Sequence, residues 1–327
     1  MYESILNLYD TQVAIKLIKD NFENKLAKKL NLTRVSAPLF VMAKSGLNDY
    51  LNGYERPVSF DAYGFNGDVE IVQSLAKWKR MALARYHFPV GFGLYTDMNA
   101  IRRDEELDAI HSMYVDQWDW EKIILKSDRT RSYLKNTVKK IYSVILSIAK
   151  DVNKAYPQLT YDLPDEIFFI TTKELEQMYP CLTPKERENK ITKEKKAVFL
   201  MQIGVKLANH KPHDGRAADY DDWKLNGDLL MWHEPLGIAL ELSSMGIRVD
   251  ENVLVSQLKA KKELYKLEND YCKALVNKEL PYTIGGGIGQ SRLCMYFLKK
   301  KHIGEVQASL WPEGKVEELE KENIILL

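Results

Sequence analysis

Late in the chain stands Gly285-Gly286-Gly287-Ile288-Gly289-Gln290-Ser291-Arg292, leading into the apolar, helix-compatible Leu293-Cys294-Met295-Tyr296-Phe297-Leu298. Four glycines in five positions strip side chains from a strand end. Backbone so exposed can lie directly against a flat or charged ligand. Arg292 then adds a cation where a helix start already favours anions. The segment reads either as a nucleotide contact, with Arg292 meeting phosphate or covering a purine face, or as a glycine-rich turn before a helix. A P-loop is excluded, because Gln290-Ser291-Arg292 replaces the Lys-Ser/Thr that must follow its last glycine. A dinucleotide fingerprint is excluded as well, since its glycines open a βαβ unit early in a domain.

The 327 residues are enough for one large domain or two modest ones with a substantial core. Basic residues number 47 and acidic ones 46, which leaves no electrostatic footprint for a nucleic-acid partner. Cys181, Cys272 and Cys294 are far apart and odd in number. They argue against a disulfide framework or a four-ligand zinc site and suit a reducing compartment. No basic n-region precedes an apolar core at the start, and no apolar run approaches the ~18 residues needed to span a membrane. A cytoplasmic protein without membrane partners is expected.

Residues 11–30 place Ala14, Leu17, Ile18, Phe22, Leu26 and Leu30 at helical spacing, with Lys16, Lys19, Lys25, Lys28 and Lys29 expected in solvent. Residues 35–40 form a short strand candidate that Pro38 confines to an edge or interface. Further surface helices are expected over 130–155 and 255–278. Strand candidates fall at 68–73, 110–120, 166–171, 197–203, 225–232 and 238–245. Their spacing is not the regular alternation of a doubly wound parallel sheet, so the expected class is α+β, a largely antiparallel β-sheet flanked by helices.

Polar residues on those strands carry the chemistry. Alternation in the segment 111–121 sets Val115, Gln117, Asp119 and Glu121 on one face and Asp116, Trp118 and Trp120 on the other. Gln117 and Asp119 suit a pocket floor better than a core, because unpaired buried polar groups are costly; an edge strand with one wet face is the alternative. Asp228 and Glu241 are single acids inside apolar strands. Facing one cleft they would make a hard-oxygen site for Mg²⁺ with nucleotide phosphates. Otherwise a nearby cation, Arg248 being nearest in sequence, would neutralise them. His210-Lys211-Pro212-His213-Asp214-Gly215-Arg216 lacks zinc-ligand spacing and reads as a charged, mobile loop over a site or as a plain surface loop. Ser74 is expected to cap a helix bearing Lys77, Lys79 and Arg80, one of which would reach an anionic substrate unless all three are solvated.

The N-terminal helix with Pro38, the Arg102-Arg103-Asp104-Glu105 segment before strand 111–121, and the glycine run with Arg292 resemble, in order, the three signature motifs of class II aminoacyl-tRNA synthetases. Longer strings are similar to ammonia-dependent asparagine synthetases: Ser74-Leu75-Ala76-Lys77-Trp78-Lys79-Arg80, Gly93-Leu94-Tyr95-Thr96, Tyr114-Val115-Asp116-Gln117-Trp118-Asp119-Trp120-Glu121, Asp219-Tyr220-Asp221-Asp222-Trp223 and Glu241-Leu242-Ser243-Ser244-Met245-Gly246-Ile247-Arg248. The likeness runs from about residue 5 to Trp311-Pro312, and its one departure is a short link between Trp223 and Asn226.

The resemblance implies a single class II synthetase-like catalytic domain over 1–327, with 10–40 at a homodimer interface. It also implies ATP-dependent conversion of aspartate and ammonia to asparagine through a β-aspartyl-adenylate. By motif position, Arg102 and Arg292 would meet ATP, supported by Glu105, Gly287 and Gly289, while Asp228 and Glu241 would hold Mg²⁺ and phosphate. Asp49 and Asp119 would take the substrate ammonium. Lys79, Gln117 and Arg248, with Ser74 and Ser244, would take its carboxylates, and Asp221 would serve the ammonia step. Glutamine-dependent synthetases need a nucleophilic thiolate, often an N-terminal cysteine; position 2 is Tyr2, so free ammonia is the expected donor.

Overall fold

A computed structural model describes residues 2–51 and 55–327. In chain order the elements are α1 (Leu8–Leu30), β1 (Leu32–Arg34), β2 (Phe40–Met42), β3 (Ser59–Phe60), β4 (Val69–Ile71), α2 (Ala76–Arg85), β5 (Gly93–Ile101) and β6 (Tyr114–Ile123). They continue with α3 (Arg131–Ala155), β7 (Phe168–Thr171), α4 (Thr172–Met178), α5 (Pro184–Lys195), β8 (Ala197–Met201), β9 (Asp221–His233) and β10 (Ile238–Arg248). The last are α6 (Glu251–Lys261), α7 (Asp270–Val276), β11 (Thr283–Gly289), α8 (Gln290–Phe297) and α9 (Lys315–Lys321).

An eight-stranded sheet in the order β1-β5-β6-β11-β10-β9-β8-β7 organises the chain, beside a small sheet in the order β2-β4-β3. Only the two outermost pairs of the large sheet, β1 with β5 and β7 with β8, run parallel. The interior pairs are antiparallel. The α+β expectation is met.

One face of the sheet is sealed. In α1, capped by the Asn7 side chain accepting from Asp10 N and ended by Asn31 in the left-handed region, Ala14, Ile18, Phe22, Leu26 and Leu30 recur every fourth residue and are all buried. This stripe packs with α3 and α8 onto Trp118, Trp120, Met245 and Ile284 of the sheet, with Phe22 stacked on Trp118 at 4.8 Å. Burying each of the larger side chains contributes on the order of 1.5–3 kcal/mol by removing apolar surface from water. The other face is covered only at its flanks. At one flank α2 packs near Leu94, and at the other Ile191 of α5 packs on Val198, Leu200 and Leu230. Between them the polar middle of the sheet stays open.

Several local expectations give way. Residues 35–40 are not a strand: β1 ends at Arg34 and β2 starts at Phe40, with Pro38, which has no ladder donor, in the link. The helix expected over 255–278 breaks after Lys261, where Lys262 turns left-handed (φ 63°), and resumes as α7. The cap of α2 is Leu75, not Ser74, whose hydroxyl accepts from Ala76 N at 3.2 Å. Lys19 and Lys25 are not simply solvated; they pair with Asp116 and Asp151. The short link after Trp223 contains no loop, because β9 runs unbroken from Asp221.

Candidate active site

Register explains how the polar residues meet. In antiparallel pairs opposed residues share a face, and Thr96, Asp119, Gly287, Ser244 and Asp228 stand opposite one another across five adjacent strands. The neighbouring rows are Met98, Gln117 and Gly289, then Leu94, Glu121, Gly285 and Gly246. Strand alternation thus lays Gln117, Asp119, Ser244 and the glycines of β11 on the open face, below a cavity of about 180 Å³. Of the residues singled out from the sequence, Asp49, Ser74, Lys79, Arg102, Glu105, Gln117, Asp119, Asp221, Glu241, Ser244, Arg248, Gly287, Gly289 and Arg292 line it. Asp228 is named with them from the sequence but is not on the cavity wall.

The glycine run has a local role beside the one expected. It makes up the C-terminal end of β11, as expected, and that strand lies in the interior of the sheet. A Cβ on Gly285 would lie 1.9 Å from Glu121 Oε2, and one on Gly287 would lie 2.3 Å from Gln117 Oε1. The missing side chains make way for Glu121 and Gln117 to cross the strand. One glycine-backed contact also fixes a cation: Lys79 Nζ donates to Gly286 O at 3.1 Å and to Asp119 Oδ1 at 2.5 Å. Burial pulls the Lys79 ammonium below its usual range, with Asp119 opposing it. Asp119 Oδ2 is buried and has no partner among the described residues, leaving an acceptor for a ligand cation.

Arg248 is the hub of the floor. Its Nε donates to Glu121 Oε1 at 3.0 Å, its Nη2 to Glu121 Oε2 at 2.7 Å and its Nη1 to Asp221 Oδ1 at 2.5 Å. A guanidinium has five N–H donors, so donors remain for a carboxylate above it. Burial pushes the Glu121 carboxyl up, but Arg248 outweighs that and holds it below the usual range. In Asp221 burial prevails and the carboxyl is raised. Asp49 accepts from Leu51 N at 3.0 Å through one oxygen, and burial pushes its carboxyl up to about 6 against the pull of Lys77.

Arg292 enters from the start of α8. Its Nε and Nη1 donate to Ile110 O at 3.3 Å and Glu241 O at 3.2 Å, neutral acceptors that orient the guanidinium without cancelling its charge. The helix start is itself pinned: Asp116 Oδ1 accepts from Ser291 N at 3.0 Å and from Gln307 Nε2 at 3.3 Å. Arg102 meets Glu105 at 3.7 Å, and its buried Nε has no partner among the described residues.

Asp228 has a cation partner, but it is Arg216 and not Arg248. The Arg216-bearing loop is tied at both sides, by His213 Nε2 to Glu188 Oε1 at 2.9 Å and by Trp223 Nε1 to Ala217 O at 3.0 Å. The Lys77-Lys79-Arg80 cations are not solvated. All three are buried, with Lys77 on Asp219 at 3.3 Å and Arg80 on the carbonyls of Pro281 and Val249. The sequence reading missed Arg216 as a site residue, Glu121 as the partner of Arg248, and Asp116 as the anchor of α8. Asp116 did leave a signal, an acid among tryptophans on the core face of its strand. Arg216 left one as well, as the last residue of the charged loop 210–216 read as lying over a site, but nothing in the pattern paired it with Asp228.

A family profile described as Aspartate-ammonia ligase matches residues 9–323. The chain is 61% identical, over its full length and 97% of the relative, to the aspartate–ammonia ligase of Ruminiclostridium cellulolyticum. It is 60% identical, again over its full length and 96% of the relative, to that of Clostridium tetani. The chain belongs to the aspartate–ammonia ligase family. Among solved structures it is similar to asparaginyl-tRNA synthetase from Pyrococcus horikoshii complexed with asparaginyl-adenylate, with TM-score 0.67 and 15% identity over 93% of this chain and 70% of that one. Aspartyl-tRNA synthetase from Entamoeba histolytica gives TM-score 0.59 and 17% identity over 91% of this chain and 58% of that one. At these identities the likeness is one of fold, the class II synthetase fold expected from the motifs.

Proposed function

We propose that the chain makes L-asparagine from L-aspartate and ammonia in two steps on this one sheet face, using ATP. The observation that carries the reading is the pairing, in a single cavity of an aspartate–ammonia ligase family member, of fixed cations with ligand-ready acids. A carboxylate resists attack by ammonia because it has no leaving group. In the first step an oxygen of the aspartate β-carboxylate attacks the α-phosphorus of ATP, and the bond from that phosphorus to the β-phosphate bridge breaks, releasing pyrophosphate. In the second, ammonia nitrogen attacks the acyl carbon of the mixed anhydride, the bond to the phosphate oxygen breaks, AMP leaves, and nitrogen loses its surplus proton.

Each role follows from a local property. Charge accumulates at the α-phosphate in the first step, so an oriented guanidinium supplies the stabilisation; Arg102 is assigned to it and Arg292 to the far side of the nucleotide, with Glu105 and the backbone of Gly287 and Gly289 beside the nucleotide. Selecting the β-carboxylate needs separate grips on the α-ammonium and the carboxylates. Asp119, with its unpartnered oxygen, and Asp49 are assigned to the ammonium; Lys79, Gln117 and the spare donors of Arg248 are assigned to the carboxylates, with Ser74 and Ser244 in support. Asp221, its carboxyl raised by burial, is suited to accept the proton that nitrogen releases. Asp228, which lies behind the cavity wall with its buried Oδ1 unpartnered among the described residues, and Glu241 on the wall are assigned to Mg²⁺ and phosphate, for which carboxylate oxygens are suitable hard donors. A magnesium ion held there would shield phosphate charge.

Free ammonia as donor is supported by the thiols: burial pushes Cys272 up to about 11 and Cys294 up to about 12, so neither is a ready thiolate nucleophile, and the exposed Cys181 is not on the cavity wall. Among the described residues no helix is long and apolar enough to cross a membrane, and a cytoplasmic site of action suits the reduced cysteines. A single catalytic domain over 1–327 and a homodimer complete the reading. The dimer is supported by Leu8, Tyr9 and Val13 on the outer side of α1 and by Leu39 and Phe40, all exposed. Incubation with ATP, aspartate and ammonium should yield asparagine, AMP and pyrophosphate in equal amounts. Equal yield from glutamine in ammonia-free buffer, or aspartyl-tRNA when tRNA replaces ammonium, would refute it.

A further inference from the structure

Arg216 is paired with Asp228, one of the two acids assigned above to a divalent cation. Its Nη2 donates to Asp228 Oδ2, while its Nη1 donates to Asp214 Oδ2 at 3.0 Å and to Gly215 O at 2.8 Å. Its side chain is only 14% exposed and that of Asp228 only 7%, whereas Asp214 is largely in solvent. Asp228 Oδ1 is buried with no partner among the described residues, so the carboxylate is half-coordinated. The loop on either side of Arg216 is fastened to the body, at His213 and at Ala217.

We infer that Arg216 is a resident counter-ion that keeps divalent metal off Asp228 until nucleotide arrives. This rests on the assignment of Asp228 and Glu241 to metal and phosphate made above. A bare metal ion must expel a buried guanidinium that then has lost its main charged partner, which is unfavourable in a low-dielectric site. A metal–triphosphate complex brings its own anionic oxygens, and phosphate is a natural bidentate partner for the displaced guanidinium. Metal binding to the acid pair thereby becomes dependent on nucleotide, and Arg216 is a positioning residue for that event.

The test is binding of Mn²⁺ to the nucleotide-free protein, followed through loss of the free-ion electron paramagnetic resonance signal. Arg216→Gln should bind Mn²⁺ about tenfold or more tightly than the parent, and adding Asp228→Asn should abolish the gain. Arg216→Lys keeps a cation on a similar stem and should stay near the parent value. Far-UV circular dichroism establishes that each variant is folded, and Arg216→Met takes the place of Arg216→Gln if the latter is not. Equal Mn²⁺ affinity in parent and Arg216→Gln, with binding still lost in Asp228→Asn, overturns the counter-ion role and leaves the acid pair as a metal site. Mn²⁺ binding indifferent to Asp228→Asn overturns that site, and the counter-ion role with it.

Discussion

Replacing Gly285 by alanine should unseat a buried ion pair without touching a ligand. The Cβ would stand 1.9 Å from Glu121 Oε2, 2.6 Å from its Cδ and 2.7 Å from Arg248 Nη2. Favourable contacts between heavy atoms begin near ~3.5 Å, so the carboxylate must retreat by about 1.5 Å from a site where it is wholly buried. That displacement breaks the 2.7 Å Glu121–Arg248 contact, and breaking a buried pair costs about 3–5 kcal/mol. Gly285 is not at positive φ, so alanine fits the backbone and returns about 0.4–1 kcal/mol through the unfolded state. The net expectation is a loss of about 2–4 kcal/mol, read as a lowered urea midpoint with unchanged slope. Because Arg248 moves, KM for aspartate should rise more than KM for ATP. On a Glu121→Ala background the same alanine should cost little, giving a coupling on the order of 2–4 kcal/mol. Additive losses, or unchanged stability with a raised KM for ATP alone, would show that Gly285 faces the nucleotide and would refute the steric argument.

Asp49→Asn should stabilise the protein at pH 8, since a buried carboxyl held at about 6 instead of 3.8 opposes folding by about 3 kcal/mol once ionised. The sign runs one way: the raised carboxyl destabilises above about 6 and not below 3.8, so the gain should shrink as pH falls through that window. Melting temperatures from pH 4 to pH 8 test this, and a gain that grows on acidification would contradict it. Activity should fall in the same variant, which loses its assigned grip on the substrate ammonium. Lys79→Met should strip the buried Asp119 of its partner and cost about 3–5 kcal/mol. The double variant Lys79→Met/Asp119→Leu should regain most of that stability but no activity, and recovered turnover would remove both residues from the site.

How the site could be anticipated differs from residue to residue. Gln117 and Asp119 were legible because strand alternation has a period of two: once 114–121 is a strand, their face and that of the tryptophans are set. The stripe of α1 was legible for the same reason at helical period. Arg292 was legible from its place after a glycine run, although the glycines themselves serve Glu121 and Gln117. β5 escaped notice because Gly93 and the polar Thr96, Asp97 and Asn99 interrupt its apolar pattern; pairing on both edges, to β1 and β6, supplies what its composition lacks.

The amino-acid sequence by itself determined the periodicities, and with them the α+β class, the sealed and open faces of the sheet, and the set of charged residues available to the cavity. Periodicity is local, so it carries to any observer who can count along the chain. Which charge meets which was decided only by tertiary structure. Arg248 lies nearer in sequence to Asp228 than to Glu121, yet register and the room left by Gly285 and Gly246 give it Glu121 and Asp221 instead. Arg216 reaches Asp228 because a loop fastened by Glu188 and Trp223 delivers it there. Ion pairing in a buried site depends on distances of a few ångströms, and those arise from strand order and loop anchoring rather than from residue order.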